Sequence, residues 1–249
     1  MKVSIITVTY NSAETIEQTI QSVMSQDYPN IEYLIVDGGS NDTTLETVNT
    51  YANKISKIIS EKDEGLYDAL NKGIAMASGD IIGFIHSDDF YTDAGVIQRY
   101  VDTFLKMGCD AVYSDLYYVD KNNTDKIIRT WKSGTYTKSS FLFGWMPPHP
   151  TFFVKKEIYQ KYGVFNTTFK SAADYELMLR LIFKNKIKLA YLPYFTVKMR
   201  VGGKSNLSLK NRLFANHEDR KAWQINGLKP YFFTLYLKPL RKLSQFFKR

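Results

Sequence analysis

Three acid-bearing stretches carry the residues of this chain best suited to chemistry: Asp37-Gly38-Gly39-Ser40, His86-Ser87-Asp88-Asp89 and Ala173-Asp174-Tyr175-Glu176. The first two follow the apolar runs Leu34-Ile35-Val36 and Ile81-Ile82-Gly83-Phe84-Ile85, which read as buried strands. Carboxylates at strand ends gather at one crevice of an open α/β sheet. Hard oxygen ligands of this kind suit Mg²⁺ or Mn²⁺, which then bridge a bound diphosphate. The expected chemistry is therefore metal-assisted handling of a phosphate-bearing ligand.

The elements that must position these acids alternate. Val3 to Tyr10 is β-branched almost throughout and ends at Asn11-Ser12, a strand running into a helix cap. From Ala13, Ile16, Ile20, Val23 and Met24 recur at helical spacing, and the pattern stops before Tyr28-Pro29. A second strand over 32–36, a helix over 43–52, a short strand over 55–60, a helix over 66–77 and a strand over 81–85 continue the rhythm. Strand, helix, strand, helix implies parallel strands with right-handed crossovers. A helix over 94–107 and a strand over 111–115 follow. Residues 119–136, with Asn122-Asn123 between Thr- and Ile-bearing runs, read as an antiparallel hairpin added to the sheet.

At 249 residues and 44% hydrophobic the chain has ample material for a core. Its single cysteine, Cys109, excludes an intramolecular disulfide and a cysteine zinc cluster, and reads as a small apolar filler in a reducing compartment. The first residues do not have the form of a signal peptide, and no run approaches the roughly 18 apolar residues of a membrane span. A cytoplasmic location is expected. The net charge of +8 is concentrated: residues 204–249 carry +9, and the body before them −1. The chain lacks Gly-x-Gly-x-x-Gly after its first strand and lacks a Gly-x-x-x-x-Gly-Lys-Ser/Thr loop, so the usual phosphate-cradling loops are missing.

The ordered set Ser4-Ile5-Ile6-Thr7-Val8-Thr9-Tyr10-Asn11, Val36-Asp37-Gly38-Gly39-Ser40-Asn41-Asp42, Ser60 to Gly73, Gly79-Asp80 before Ser87-Asp88-Asp89, and Gly202-Gly203-Lys204-Ser205 resembles the inverting family 2 glycosyltransferases. Within that family it is most similar to the branch that builds bacterial O-antigen and other surface polysaccharides. The resemblance implies a GT-A fold, a Rossmann-like, mostly parallel mixed sheet flanked by helices, over residues 1–205. A helical, basic and aromatic tail over 206–249 would follow it.

The resemblance also implies roles. Thr9, Tyr10, Asn11 and Asp37 would contact the nucleotide of a UDP-sugar, with Asp63, Tyr67, Asp68, Asn71 and Lys72 in the next nucleotide-contacting stretch. Asp88 would approach the ribose and metal, and Asp89 would hold Mg²⁺ or Mn²⁺ directly. Asp174 would be the base that deprotonates the acceptor hydroxyl. Trp145 and His149 would shape the acceptor or diphosphate site, and Arg200 and Lys204 would lie in a mobile loop closing over the diphosphate. His86 departs from the Asp, Asn or Leu common there.

The residues alone leave alternatives. Asp37 before two glycines suits a turn, Ser87-Asp88-Asp89 suits a helix cap, and Asp174 at a helix start is favoured by the macrodipole. Trp145 and Phe152 suit a core as well as a sugar-stacking face, and His86 suits strand-end packing. A non-catalytic sugar-binding scaffold would have lost these acids. A sugar nucleotidyltransferase would carry a Gly-rich first loop with a following arginine, absent after Tyr10.

Residues 227–249 hold six Lys/Arg, no acid, and six Tyr/Phe, with Pro230 and Pro239 breaking the segment. That composition suits peripheral binding to an anionic membrane, here the inner face of the plasma membrane, where a lipid-linked saccharide acceptor would be met. The alternative is that these aromatics pack on the catalytic body or on a second subunit of a homodimer. No basic stripe with base-reading aromatics marks a nucleic-acid partner.

Overall fold

The computed structural model describes residues 1–202, 209–243 and 245. Its first strand, β1 (Val3–Thr9), is buried along its whole length, as expected of a central parallel strand. Helix α1 (Ile16–Met24) returns to β2 (Ile31–Asp37), and α2 (Thr44–Thr50) to β3 (Lys57–Ser60). Next come α3 (Leu66–Met76), β4 (Ile81–Phe84), β5 (Asp89–Tyr91) and α4 (Val96–Met107). The hairpin β6 (Ala111–Val119) and β7 (Ile127–Trp131) follows, with Asn122 and Asn123 in its turn. The chain continues through β8 (Phe153–Lys155), α5 (Lys156–Tyr162), α6 (Ala173–Met178), β9 (Leu189–Arg200), α7 (Leu209–Ile225) and α8 (Thr234–Leu243).

The strands form one mixed sheet in the order β3-β2-β1-β4-β8-β6-β9-β5, with β7 paired to β6. β3, β2, β1 and β4 are parallel, so the ends of β1, β2 and β4 open on the same edge. Alternate residues of each strand feed opposite faces of the sheet. Val3 and Ile5 meet Ile16, Ile20 and Tyr100 of α1 and α4, whereas Ile6 and Val8 meet Leu70 and Ile74 of α3. Truncating one of these isoleucines to alanine would cost about 2–5 kcal/mol.

The long β9 was not evident from sequence because Pro193 interrupts its pattern. Its pairing with β6 shifts register across Ser114 to Leu116, and Pro193 falls in that irregular stretch, where a residue without an amide proton is tolerated. Cys109 is fully buried, as its apolar neighbours suggested.

The C-terminal segment is not an appendage. Trp223 of α7 is fully buried in the same cluster as Phe141, Tyr175 and Phe183, and its indole donates to the Tyr175 hydroxyl at 2.9 Å. Leu235 of α8 enters that cluster too. Pro239, expected to break the tail, lies inside α8. Among the described residues no helix is long and apolar enough to cross a membrane.

Candidate active site

Two loops frame the first part of the site. Asp37 ends β2 fully buried, and its carboxylate accepts hydrogen bonds from the Gly39 and Ser40 amides at 3.1 and 3.0 Å and from the Ser60 and Ser40 hydroxyls. It fixes the loop, as the turn reading had it, and a nucleotide would have to compete with four donors for its oxygens. Gly38 lets the Asp63 side chain come close: a Cβ there would sit 2.3 Å from the Asp63 carboxylate, which would have to shift. Asn11, after β1, holds a positive φ of 50° that asparagine tolerates better than most residues. It binds the second loop twice, through its amide to Ser40 Oγ at 2.8 Å and through Oδ1 to the Asn41 amide at 2.9 Å. Between these loops Tyr10 is half exposed, and the buried Thr9 hydroxyl has no hydrogen-bond partner.

The turn after β4 carries the next acids. Asp89 is fully buried and neither carboxylate oxygen makes a hydrogen bond. Burial, then the charge of Asp88, pushes its pKa well above the usual carboxylate range; the Arg200 amide and guanidinium pull the other way, the amide without hydrogen-bond geometry. An unsatisfied buried carboxylate is costly in a folded protein. A divalent ion would remove that cost, so the donor set fits the metal that the resemblance implies. Among the described residues no group of three or more His, Cys, Asp or Glu side chains forms a metal cage. Asp88 and Asp89 would therefore share the ion with a diphosphate and water, the usual mode for Mg²⁺.

Arg200 differs from its expected place in a mobile loop. It is the last residue of β9, 7% exposed, with its guanidinium bonded to the Asp88 carbonyl and to Gln18 Oε1 and lying 5.1 Å from the Phe90 ring centroid. Its charge sits under the Asp88-Asp89 turn, where it offsets two carboxylates. Lys204 lies outside the described residues.

Asp174 is the second residue of α6, and no side chain caps that helix. Its Oδ1 accepts a hydrogen bond from Tyr67 of α3 at 3.3 Å. Tyr67 is held in its neutral, donating form by burial and then by the charge of Asp174. Beside this pair stand two imidazoles, His86 and His149, with ring centroids 5.4 Å apart. His149 also lies against Phe84 and Phe165, and neither of its ring nitrogens has a hydrogen-bond partner. Burial, then His86, lowers its pKa to about 4, with Asp174 opposing. His86 is lowered by burial too, with Asp88 and Asp174 both opposing, so it lies within electrostatic reach of both acids.

Other expected contacts fall elsewhere. Trp145 is no open stacking face: it is 4% exposed, packed on Tyr113, Tyr136 and Phe141, and its indole donates to the Ser133 carbonyl at 2.8 Å. Asn71 exchanges two hydrogen bonds with the Phe165 backbone, pinning the loop that carries Phe165 to His149 and Tyr67. Lys72 pairs with Glu61 at 2.8 Å and Asp68 at 3.3 Å. Asp63 accepts from the Gly65 amide at 2.9 Å and so shapes the start of α3. Of the residues not anticipated, Glu218 of α7 matters most. It accepts from the Lys170 and Ser171 amides and the Ser171 hydroxyl, at 2.7 to 2.8 Å, and braces the loop leading to Asp174. No local pattern marks it, because its partners lie 47 and 48 residues away.

Residues 4–171 match Glycosyl transferase family 2. The chain is 32% identical over 180 residues to an uncharacterised glycosyltransferase of Mycobacterium tuberculosis, covering 72% of this chain and 68% of the relative. It is 28% identical over 207 residues to a PGL/p-HBAD biosynthesis glycosyltransferase of Mycobacterium bovis, covering 82% and 78%. Among solved structures it resembles residues 1–349 of S. aureus TarS in complex with UDP, with TM-score 0.68, 19% identity and coverage of 100% of this chain and 71% of that one. A longer TarS chain is covered over only 42% of its length. The mannosyltransferase PcManGT of Pyrobaculum calidifontis, in complex with GDP-Man and Mn²⁺, aligns with TM-score 0.70 and 20% identity, covering 95% and 68%. The folds agree: a GT-A sheet flanked by helices.

Proposed function

The chain belongs to glycosyl transferase family 2, and on that premise we propose that it moves a hexose or N-acetylhexosamine from a UDP-sugar, with inversion, to a hydroxyl of a lipid-linked saccharide in cell-surface polysaccharide synthesis. The work is done in the cytoplasm, at the inner face of the plasma membrane. The observation that carries this reading is the buried, unpartnered Asp89 carboxylate beside Asp88, together with the Tyr67-Asp174 pair and a His86 within electrostatic reach of both Asp88 and Asp174.

In the proposed step the acceptor oxygen gives its proton to Asp174 as it bonds to the anomeric carbon. The bond from that carbon to the diphosphate oxygen breaks on the opposite face, and UDP leaves. Tyr67 orients the carboxylate by binding Oδ1, which leaves Oδ2 for the acceptor. Asp88 and Asp89 would hold Mg²⁺ or Mn²⁺, which neutralises charge developing on the leaving diphosphate when bound. Arg200 keeps the two acids close together by offsetting their repulsion.

TarS in complex with UDP, and also with UDP-GlcNAc, supports the choice of donor, and PcManGT with Mn²⁺ supports the metal. PcManGT with GDP-Man favours a GDP-sugar as the second reading. A screen of UDP-, GDP- and dTDP-sugars with Mn²⁺, read by thermal stabilisation and by hydrolysis, separates them. A ligand at 100 times its Kd adds about 2.7 kcal/mol of stability. Stabilisation by UDP-sugars is expected; stabilisation by GDP-sugars alone would replace the donor, and by none would sink the reading.

A further inference from the structure

Helix α8 presents two different faces. On the inner one, Leu235 is buried, Thr234 donates to the Leu142 carbonyl at 2.6 Å, and Lys238 reaches Asp219 of α7 at 2.7 Å. The helix backbone comes so close to Gly144 that a Cβ there would lie 2.5 Å from the Lys238 amide nitrogen. On the outer face Tyr236 and Leu240 lie four residues apart, 61% and 55% exposed, and Phe232, 87% exposed, precedes them in the turn that leads into the helix. Such spacing makes a single stripe along a helix. Tyr231 and Phe143 widen it, with rings 6.4 Å apart, and Phe233 lies 5.8 Å from Phe143. A soluble surface rarely shows so many large apolar groups together.

The charges around this stripe say what covers it. Lys229 is exposed before it, Arg241 is exposed at its end, and the chain from 227 to 249 contains six Lys/Arg and no acid. Aromatic residues at a boundary between apolar and aqueous phases, flanked only by cations, match the headgroup layer of an anionic bilayer. We propose that the stripe Phe232-Tyr236-Leu240, with Tyr231 and Phe143, is a seat for an anionic lipid surface, and that it sets the catalytic crevice in a fixed orientation to that surface.

The orientation follows from rigid connections. Lys238, on the inner face of the same helix, lies 3.7 Å from the ring centroid of Tyr175, the neighbour of Asp174. Trp223 holds the Tyr175 hydroxyl from the other side. A helix seated in headgroups is thus one side chain from the helix that carries the proposed base. Only the link to a lipid-borne acceptor rests on the proposed function; binding to the bilayer stands on the stripe and its charge.

The test compares the full chain with the triple variant Phe232→Ser, Tyr236→Ser, Leu240→Ser. Sedimentation is measured with vesicles of phosphatidylglycerol mixed with phosphatidylcholine and with vesicles of phosphatidylcholine alone, alongside thermal stabilisation by UDP and gel filtration without lipid. The wild type is expected to sediment with the anionic vesicles only, and the variant at least about 10-fold more weakly, with equal stabilisation by UDP. Equal sedimentation of both forms overturns the proposal, as does equal binding to the neutral vesicles. A lipid-free dimer that the variant abolishes assigns the stripe to a second copy and also overturns it. Failure of UDP to stabilise either form would count against the donor, not against the seat.

Discussion

The Tyr67 hydroxyl and Asp174 Oδ1 meet at 3.3 Å across 107 residues of sequence, joining α3 of the parallel part of the sheet to α6, which lies between β8 and β9 in the chain. This contact gives the carboxylate a partner outside its own helix. Asp174 also stands in the first turn of α6, where the macrodipole favours an acid.

Asp174→Asn is therefore expected to bind UDP as the wild type does and to lose turnover by about 10²- to 10⁴-fold, the usual contribution of a general base. Tyr67→Phe removes only the orienting hydrogen bond, worth about 1.5–3 kcal/mol to a charged partner, so kcat should fall about 10- to 100-fold. Steady-state kinetics and UDP calorimetry on both variants check this. Parallel loss of UDP affinity would make the pair a binding element.

Asp89 sets stability against function. Its folded pKa is raised, so ionisation is harder in the fold than in the unfolded chain, and the metal-free protein carries a penalty at neutral pH. Asp89→Asn should raise the stability of the metal-free protein by about 1–3 kcal/mol at pH 7 while abolishing activity with Mn²⁺. That gain should vanish below about pH 4, where the carboxylate is protonated in both states. Denaturant unfolding with a chelator present tests the first part; near-normal Mn²⁺ activity in the variant would remove Asp89 from the metal site.

His149 predicts the opposite pH trend. Its folded pKa is near 4, below the unfolded value of about 6.5, so the stability of its neutral form is present above pH 6.5 and lost as pH falls through 4. His149→Phe keeps a flat ring among Phe84, His86 and Phe165. The difference in unfolding free energy between wild type and variant should shift against the wild type by up to about 3 kcal/mol over that window. A constant difference from pH 7 to pH 4 would show that His149 is not held neutral.

Much of this site was legible because local patterns deliver it. The continuous apolar runs of β1, β2 and β4 place Thr9, Asp37 and the Asp88-Asp89 turn at one sheet edge, and each strand lies within a residue or two of its expected bounds. What escaped depends on contacts distant in sequence. Trp145 in a proline-rich loop has the same local signature whether it faces a sugar or a core; only Ser133 and Tyr113 decide the matter. Asn71 sits in a nucleotide-contacting stretch by motif, yet its amide is matched to Phe165, 94 residues on. The tail's cationic composition suggested a detachable device, because no sequence pattern announces that Lys238 will face Asp219.

That last pair yields a prediction against the independence of residues 227–249. Asp219 and Lys238 are 8% and 17% exposed in their side chains, their atoms are 2.7 Å apart, and the lysine also lies over the Tyr175 ring. Breaking a buried pair by removing one member typically costs about 3–5 kcal/mol, and Lys238 is the cation from which both Asp219 oxygens accept. Lys238→Met should be destabilised by about that amount, and a chain ending at Asn226, which loses Lys238 and Leu235 together, by more. Adding Asp219→Asn to Lys238→Met should recover most of the loss, since a neutral pair leaves no buried charge. Urea unfolding of the two single variants and the double variant measures the coupling. If Lys238→Met unfolds with the wild-type midpoint, α8 is a detachable tail after all.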